Sequence, residues 1–352
     1  MDGEAILLPA ANISKEDDVI GEIPTTFFVT IFTYKSDDPL ISFSNKLFEY
    51  YLLALIGVGI PGNLLTAITL QTILPLSVSS LLVSVVALFD SLALIAKVIE
   101  NQLLLYDVEL NTFACNALTM FSVYLSTVAN WSLVLLCMEQ YIAVAYPLKK
   151  ELMLTKSRSC IVSIIVCLAM FIGFVVAYFL NSDWLIDALP CWMRTAKTLQ
   201  SYLIIENLHV FAPYILVFGL AVCIYVGHAS FLKKHNKIEQ ENRVVESETG
   251  LASSSKEVAE VDKISFEEKM TLVTLTKIAS GLFLVLVLPY FAYVIITLVS
   301  SVYSIYFINT TDWMLFTHIR SVLLDTTYAI KFLLYCVSGT FRKHFRHRIL
   351  WC

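Results

Sequence analysis

Residues 115–141 read CNALTMFSVYLSTVANWSLVLLCMEQY, from Cys115 to Tyr141. No acid or base interrupts the run before Glu139. About 20 apolar residues in a helix span the ~30 Å hydrocarbon core of a bilayer, so this stretch predicts a membrane helix. Similar stretches lie near 48–72, 79–100, 159–181, 202–232, 266–300 and 314–337, with the third span over 113–145. Their length and continuity favour helices over barrel strands, which alternate and are about half as long. The chain has 352 residues, of which 58% are hydrophobic and 15% charged. A soluble domain of that size needs more polar surface. The expected fold is an all-α membrane protein, a bundle of seven transmembrane helices over 48–337.

Loop charges set the orientation. With residues 1–47 outside, the inner loops and tail carry four Lys/Arg in 149–158, seven in 233–269 and four in 342–348. The outer segments carry six: Lys15, Lys35, Lys46, Lys97, Arg194 and Lys197. The N-terminus is therefore expected outside and the C-terminus inside. Residues 1–44 lack a basic-then-apolar opening, so the first span is expected to act as its own insertion signal. Asn12-Ile-Ser14 and Asn309-Thr-Thr311 are outward sequons and expected glycosylation sites. Asn130-Trp-Ser132 falls within the third span and should stay bare.

Six of the eight cysteines (Cys137, Cys160, Cys167, Cys223, Cys336, Cys352) fall within spans or on the inner side. Cys115 and Cys191 remain on the oxidising outer face. A disulfide between them is the first expectation and two free thiols the alternative. The inner loop 233–269 is rich in Glu, Lys and Ser and reads as partly disordered, with ends extending the flanking helices. Over 338–352, Phe341, Phe345, Ile349 and Leu350 share a helical face, with basic residues on the others. That pattern predicts a short amphipathic C-terminal helix on anionic inner lipids. Terminal Cys352 is placed where an acyl chain would add anchoring.

Several landmarks occur in a fixed order. Gly62-Asn63 lies in the first span and Ala87-Leu88-Phe89-Asp90 in the second. Cys115 precedes Gln140 by 25 residues, and Tyr141 to Lys149 follows. Pro213, Phe283 and Pro289 mark the fifth and sixth spans, and Ala329 to Cys336 closes the seventh, with Tyr335 near its end. In order and spacing the chain resembles rhodopsin-like (class A) G-protein-coupled receptors, most of all invertebrate neuropeptide receptors of the FMRFamide type. The resemblance covers about 48 to 350. It implies an extracellular ligand, a heterotrimeric G-protein partner and a plasma-membrane location. It also assigns activation roles to Asp90, Glu139, Gln140, Tyr141, Phe283, Pro289, Lys331 and Tyr335.

The departures fall on that activation machinery. Gln140 stands where the family has its switch arginine, and Val287 where it has the toggle tryptophan. Lys331-Phe332 replaces the seventh-span Asn-Pro, and Ala221 a common tyrosine. Loss of the arginine implies loss of its contacts in both states, including that to Glu139. Lys331 within a span costs about 2.5–3.5 kcal/mol unless paired or hydrated. The family places this position beside the second-span aspartate, here Asp90, which commonly binds sodium. Two expectations follow: Lys331 pairs with Asp90 as a built-in cation, or it snorkels to the inner interface.

On the outer side, sixteen acids face six bases, a field that steers cationic ligands or merely solubilises. Candidate ligand-binding residues are Glu100, Ser122, Glu206, Tyr290, Tyr293, Arg320 and Asp325, with Lys97 as a further cation. Tyrosine faces suit cations and Phe rings. Ser122 stands where amine receptors carry an aspartate, which argues against a monoamine. The leading reading is a receptor for a neuropeptide or small basic, amidated peptide. The alternative is a signalling-impaired receptor acting as scaffold, ligand sink or heteromer partner. A retinal pigment fails on position, because Asp325 occupies the retinal lysine's place. A transporter lacks an inverted repeat and paired broken helices. No metal-ligand spacing, nucleophile elbow or phosphate loop appears, so no enzyme, cofactor, metal or nucleic-acid partner is expected. His209 and His228 are isolated and read as packing or hydrogen-bonding residues.

N-glycosidase treatment should lower the apparent mass of the wild-type chain. The Asn12→Gln/Asn309→Gln double variant should show no such shift; a persistent shift would contradict the sequon assignment.

Overall fold

A computed structural model describes residues 39–73, 77–106, 108, 110–147, 149–180, 205, 207–249, 256–303 and 310–337. Among them are seven long helices: α1 (Pro39–Ile73), α2 (Val78–Leu105), α3 (Thr112–Ala145), α4 (Lys156–Leu180), α5 (Ala212–Thr249), α6 (Lys256–Tyr303) and α7 (Thr310–Val337). A four-residue helix, Lys150–Met153, sits in the inner loop between α3 and α4. The residues expected to form the amphipathic C-terminal helix, 338–352, lie outside the described residues, as do Asn12, Asn309, Cys191 and Glu206.

Among the described residues, six helices hold an apolar window fit to cross a bilayer: Glu49–Thr69, Val78–Leu103, Ala117–Ala145, Lys156–Val176, Asn207–Ser230 and Leu272–Ile296. α7, 28 residues long, completes the seven expected helices. Asp312, His318, Arg320, Asp325 and Lys331 lower its hydropathy. Asp325 and Lys331 are buried against other helices, so α7 can be polar without presenting these groups to lipid.

α3 is the axis of the bundle. Its apolar window is 72% buried, against 17% for that of α4, whose Ile161, Ile164, Ile165, Leu168, Phe171 and Ile172 face outward. The main apolar core joins Leu133 and Leu136 of α3 to Val83 and Val86 of α2, Val217 and Ile224 of α5, Phe283 and Val287 of α6 and Leu324 of α7. Asn111 starts α3 by accepting the Ala114 N–H at 2.7 Å, a side-chain N-cap.

Pro213 explains the joint between α3 and α5. A π-helical segment, Asn207–Phe211, leads into α5. The carbonyls of Leu208 and His209 would take the N–H of residue 213 in i→i+5 and i→i+4 patterns, and proline has none. α3 supplies both donors: Trp131 Nε1 donates to the Leu208 carbonyl at 2.8 Å and Asn130 Nδ2 to that of His209 at 2.8 Å. The Thr127 hydroxyl donates to the Val123 carbonyl at 2.8 Å, so its 3.1 Å contact with buried His209 Nδ1 has the imidazole N–H donating. His209 thus packs and hydrogen-bonds, as its isolation suggested.

α1 and α7 approach closely at two glycines. A Cβ on Gly62 would fall 2.5 Å from the Phe332 ring, and one on Gly59 2.7 Å from Leu94 and 2.9 Å from Ala329. Phe332, standing in place of proline, therefore depends on Gly62 of the Gly-Asn pair.

The ends of the inner loop between α5 and α6 extend the flanking helices, as expected: α5 continues to Thr249 and α6 begins at Lys256, and the middle of the loop, 250–255, lies outside the described residues. Neither Gly nor Pro interrupts residues 228–249. Lys237/Glu241, Glu239/Arg243 and Lys263/Glu267 are spaced i,i+4, where opposite charges support a helix with few apolar residues.

Asn130→Ala would leave the buried His209 carbonyl without a donor, at about 1–3 kcal/mol. The purified variant's thermal midpoint should fall by several degrees; an unchanged midpoint would contradict the role given to Asn130.

Candidate functional site

Three polar layers cross the interior, each built on α2 or α3. The outermost gathers side chains from five helices. Asp325 of α7 is ion-paired with Lys97 of α2 at 2.9 Å and accepts the Tyr51 hydroxyl of α1 at 2.8 Å. Glu100, one turn beyond Lys97, is hydrogen-bonded by the Ser122 and Thr119 hydroxyls of α3. The Arg320 guanidinium lies 3.5 Å from the centroid of the Tyr293 ring and 4.4 Å from that of Tyr290, in cation–π geometry. The two tyrosine rings are 6.2 Å apart, and His209 meets Tyr290 edge-on at 6.0 Å. Tyr51 feels the charges of Asp325, Glu100 and Arg320, so these groups share one region.

Six of the seven candidate ligand residues therefore converge: Glu100 with Ser122, Arg320 with Tyr290 and Tyr293, and Asp325 with Lys97. The seventh, Glu206, lies outside the described residues. Tyr51 and Thr119 belong to the cluster and went unnoticed in the sequence. Tyr51 lies 274 residues from its partner, and no local spacing announces such a contact.

The middle layer holds the second α2–α7 ion pair. Lys331 Nζ donates to Asp90 Oδ1 at 2.7 Å and to Oδ2 at 2.9 Å. Side-chain exposure is 0% for Asp90 and 7% for Lys331, so the ammonium pairs inside the bundle and does not snorkel. Asn63 Nδ2 donates to the Tyr328 carbonyl at 3.1 Å, fastening α1 to α7 one turn above Lys331. The Tyr328 hydroxyl reaches the Ser126 carbonyl of α3 at 3.5 Å. Phe283 and Val287 are buried in the core beside this layer. Pro289 lies within α6. Tyr335 lies in the last turns of α7, and its side chain is outside the described set, as is that of Cys115. Among the described cysteines, Cys137, Cys160, Cys167 and Cys223 are free thiols.

The inner layer is centred on Glu139. Its Oε1 accepts Lys150 Nζ at 2.7 Å and the Ser79 hydroxyl at 2.8 Å. Gln140 Nε2 donates to its Oε2. Glu139 and Gln140 are both buried. The arginine contact to Glu139 is absent with Gln140 in its place, but Glu139 is not left unpaired. A lysine from the short inner-loop helix replaces the guanidinium as counter-ion, and the neighbouring amide keeps a hydrogen bond. Tyr141 packs edge-on against Tyr146 at 6.4 Å.

The fold is a seven-helix membrane bundle with a polar interior, and sequence comparison gives its family. The profile of the 7 transmembrane receptor (rhodopsin family) matches residues 64–324, well over half of the chain. The chain belongs to that family and is a multi-pass plasma-membrane receptor. Comparison with curated proteins gives no match. The profile match stops just before Asp325, so both acidic-basic partners contributed by α7 to α2 lie beyond it.

With Lys331 in place, the Asp90 carboxylate already has a cation. The wild-type thermal midpoint should be the same in sodium chloride and in choline chloride. Lys331→Asn frees the carboxylate, and a cation that binds the folded state stabilises it, so sodium should raise that variant's midpoint. A sodium response in wild type, or none in the variant, would contradict the built-in cation.

Proposed function

We propose that this receptor takes a small basic or amidated peptide from the extracellular side and signals by opening its inner face to a heterotrimeric G protein. The observation that carries the peptide reading is Glu100. Its carboxylate is held by two neutral hydroxyls, while the nearby Lys97 makes its ion pair with Asp325. Glu100 thus offers a ligand cation a preoriented acceptor. Tyr290 and Tyr293, which carry the Arg320 guanidinium on their rings, add aromatic surface to the same cluster, suited to a Phe ring. The acids of the N-terminal segment and outer loops add long-range attraction for a cation. An amidated peptide ending in Arg-Phe lacks a C-terminal negative charge and matches this chemistry. Binding shifts a population of two bundle arrangements in proportion to the ligand's preference between them.

Gln140 supports a second reading, in which the chain binds ligand but acts as a scaffold, sink or heteromer partner. The amide is buried against Glu139 and carries no charge to offer a G protein.

Cells carrying a promiscuous G protein, loaded with a calcium indicator and exposed to amidated peptides, separate the two. Surface-matched wild type and Gln140→Arg are compared. A wild-type response that drops at least tenfold in potency on Glu100→Gln supports the signalling peptide receptor. A response confined to Gln140→Arg supports the second reading. Responses indifferent to Glu100→Gln would remove the site assignment.

A further inference from the structure

A fourth polar cluster lies away from the three layers, on the α5–α6 seam near the inner face. Lys277 of α6 donates from Nζ to His228 Nδ1 of α5 at 2.9 Å. The same ammonium stands 5.6 Å from the centroid of the Tyr225 ring. Lys277 lies within the apolar window Leu272–Ile296 of α6. His228 lies two residues before the end of the α5 window at Ser230. Tyr225, Val226, Val222 and Ile278 around the pair are exposed, so this seam faces the surrounding lipid.

Among the described residues, no carboxylate pairs with this ammonium. The nearest acid on α6 is Glu268, nine residues before Lys277, and on α5 Glu239, eleven residues after His228. At 1.5 Å rise per residue these are roughly 13 and 16 Å away along the axes. Glu139 of α3 is occupied by Lys150, Ser79 and Gln140. Neutral His228 is the only described hydrogen-bond acceptor of Lys277, and with Nδ1 accepting, its Nε2–H has no acceptor among the described residues. Both members of the pair are short of acceptors. Inner-leaflet lipids carry anionic phosphates at the depth a lysine stem can reach. Lys233, exposed one and a half turns along α5 from His228, adds positive charge where the headgroup would lie.

We propose that Lys277 and His228 form a binding site for the phosphate of an anionic inner-leaflet phospholipid, seated between the inner ends of α5 and α6. Lys277 provides the charge-assisted hydrogen bond, Tyr225 flanks the glycerol region, and His228 joins as a second donor once its ring turns outward. The lipid spans the seam and joins the two helices through a shared headgroup.

The full chain is purified from mixed micelles of phosphatidylcholine and phosphatidylserine, and retained lipid is counted by native mass spectrometry. Wild type should keep one phosphatidylserine in preference to phosphatidylcholine. Lys277→Gln should lower that occupancy at least fivefold, and Lys277→Arg should restore it. Equal retention of the two lipids, or unchanged occupancy in Lys277→Gln, would overturn the proposal. Stabilisation by inorganic phosphate alone, with no lipid retained, would overturn the assignment to a lipid. Should Lys277→Gln fail to fold, a photoactivatable phosphatidylserine on wild type decides. Labelling of the peptides around Tyr225–His228 or Lys277 supports the site, and labelling confined to other helices overturns it.

Discussion

Two ion pairs of opposite sense join α2 to α7, and the rest of the interior is arranged around them. α2 contributes Asp90 and, two turns outward, Lys97; α7 contributes Lys331 and, six residues outward, Asp325. The helices run in opposite directions, so each acid meets a base at both levels. Removing one member of a buried pair leaves an uncompensated charge, at about 3–5 kcal/mol. The pairing therefore fixes the register of α7 against α2, since a slide by one turn breaks both bonds. Tyr51 and Asn63 then tie α1 to the same face of α7, through Asp325 and the Tyr328 carbonyl.

This constraint gathers the buried interhelical ion pairs on one side of the bundle. α1, α2 and α7 are held together by charge and by the close glycine contacts at Gly59 and Gly62. α5 is held to α3 by Trp131, Asn130 and Thr127 in its outer half, and at its inner end meets α6 through a lysine–histidine hydrogen bond. Glu139 is the hub of the inner layer, and its lysine partner comes from the loop helix, so the second inner loop is fastened to α3.

Much of this was legible in the sequence. Helix number and orientation follow from apolar length and loop charge, both local quantities. The Asp90–Lys331 pair was one of two expectations, because a lysine in a span must either pair or reach water. The structure resolves it by placing both side chains out of solvent. Glu100, Tyr290, Tyr293, Arg320 and Asp325 were readable as polar or aromatic residues in outer halves of spans. What remained hidden were partners set by tertiary geometry. Tyr51 reaches Asp325 on the neighbouring α7, 274 residues away in sequence, Lys150 folds back onto Glu139, and Asn130 and Trp131 serve carbonyls orphaned by a proline on another helix. Asn130 was visible only as a sequon that should stay bare. The helical extension of α5 and α6 into the loop was among the expectations, and charge spacing rather than apolar periodicity supports it.

The most direct test of the central interaction is a double-mutant cycle on Asp90 and Lys331, read by thermal unfolding of the purified receptor. Asp90→Asn and Lys331→Met should each lower the midpoint sharply, and the double variant should recover most of the loss. Recovery would show that the two charges stabilise the bundle through each other. Single losses that simply add in the double variant would contradict the account, because the residues would then act independently and the register of α7 would rest on something else.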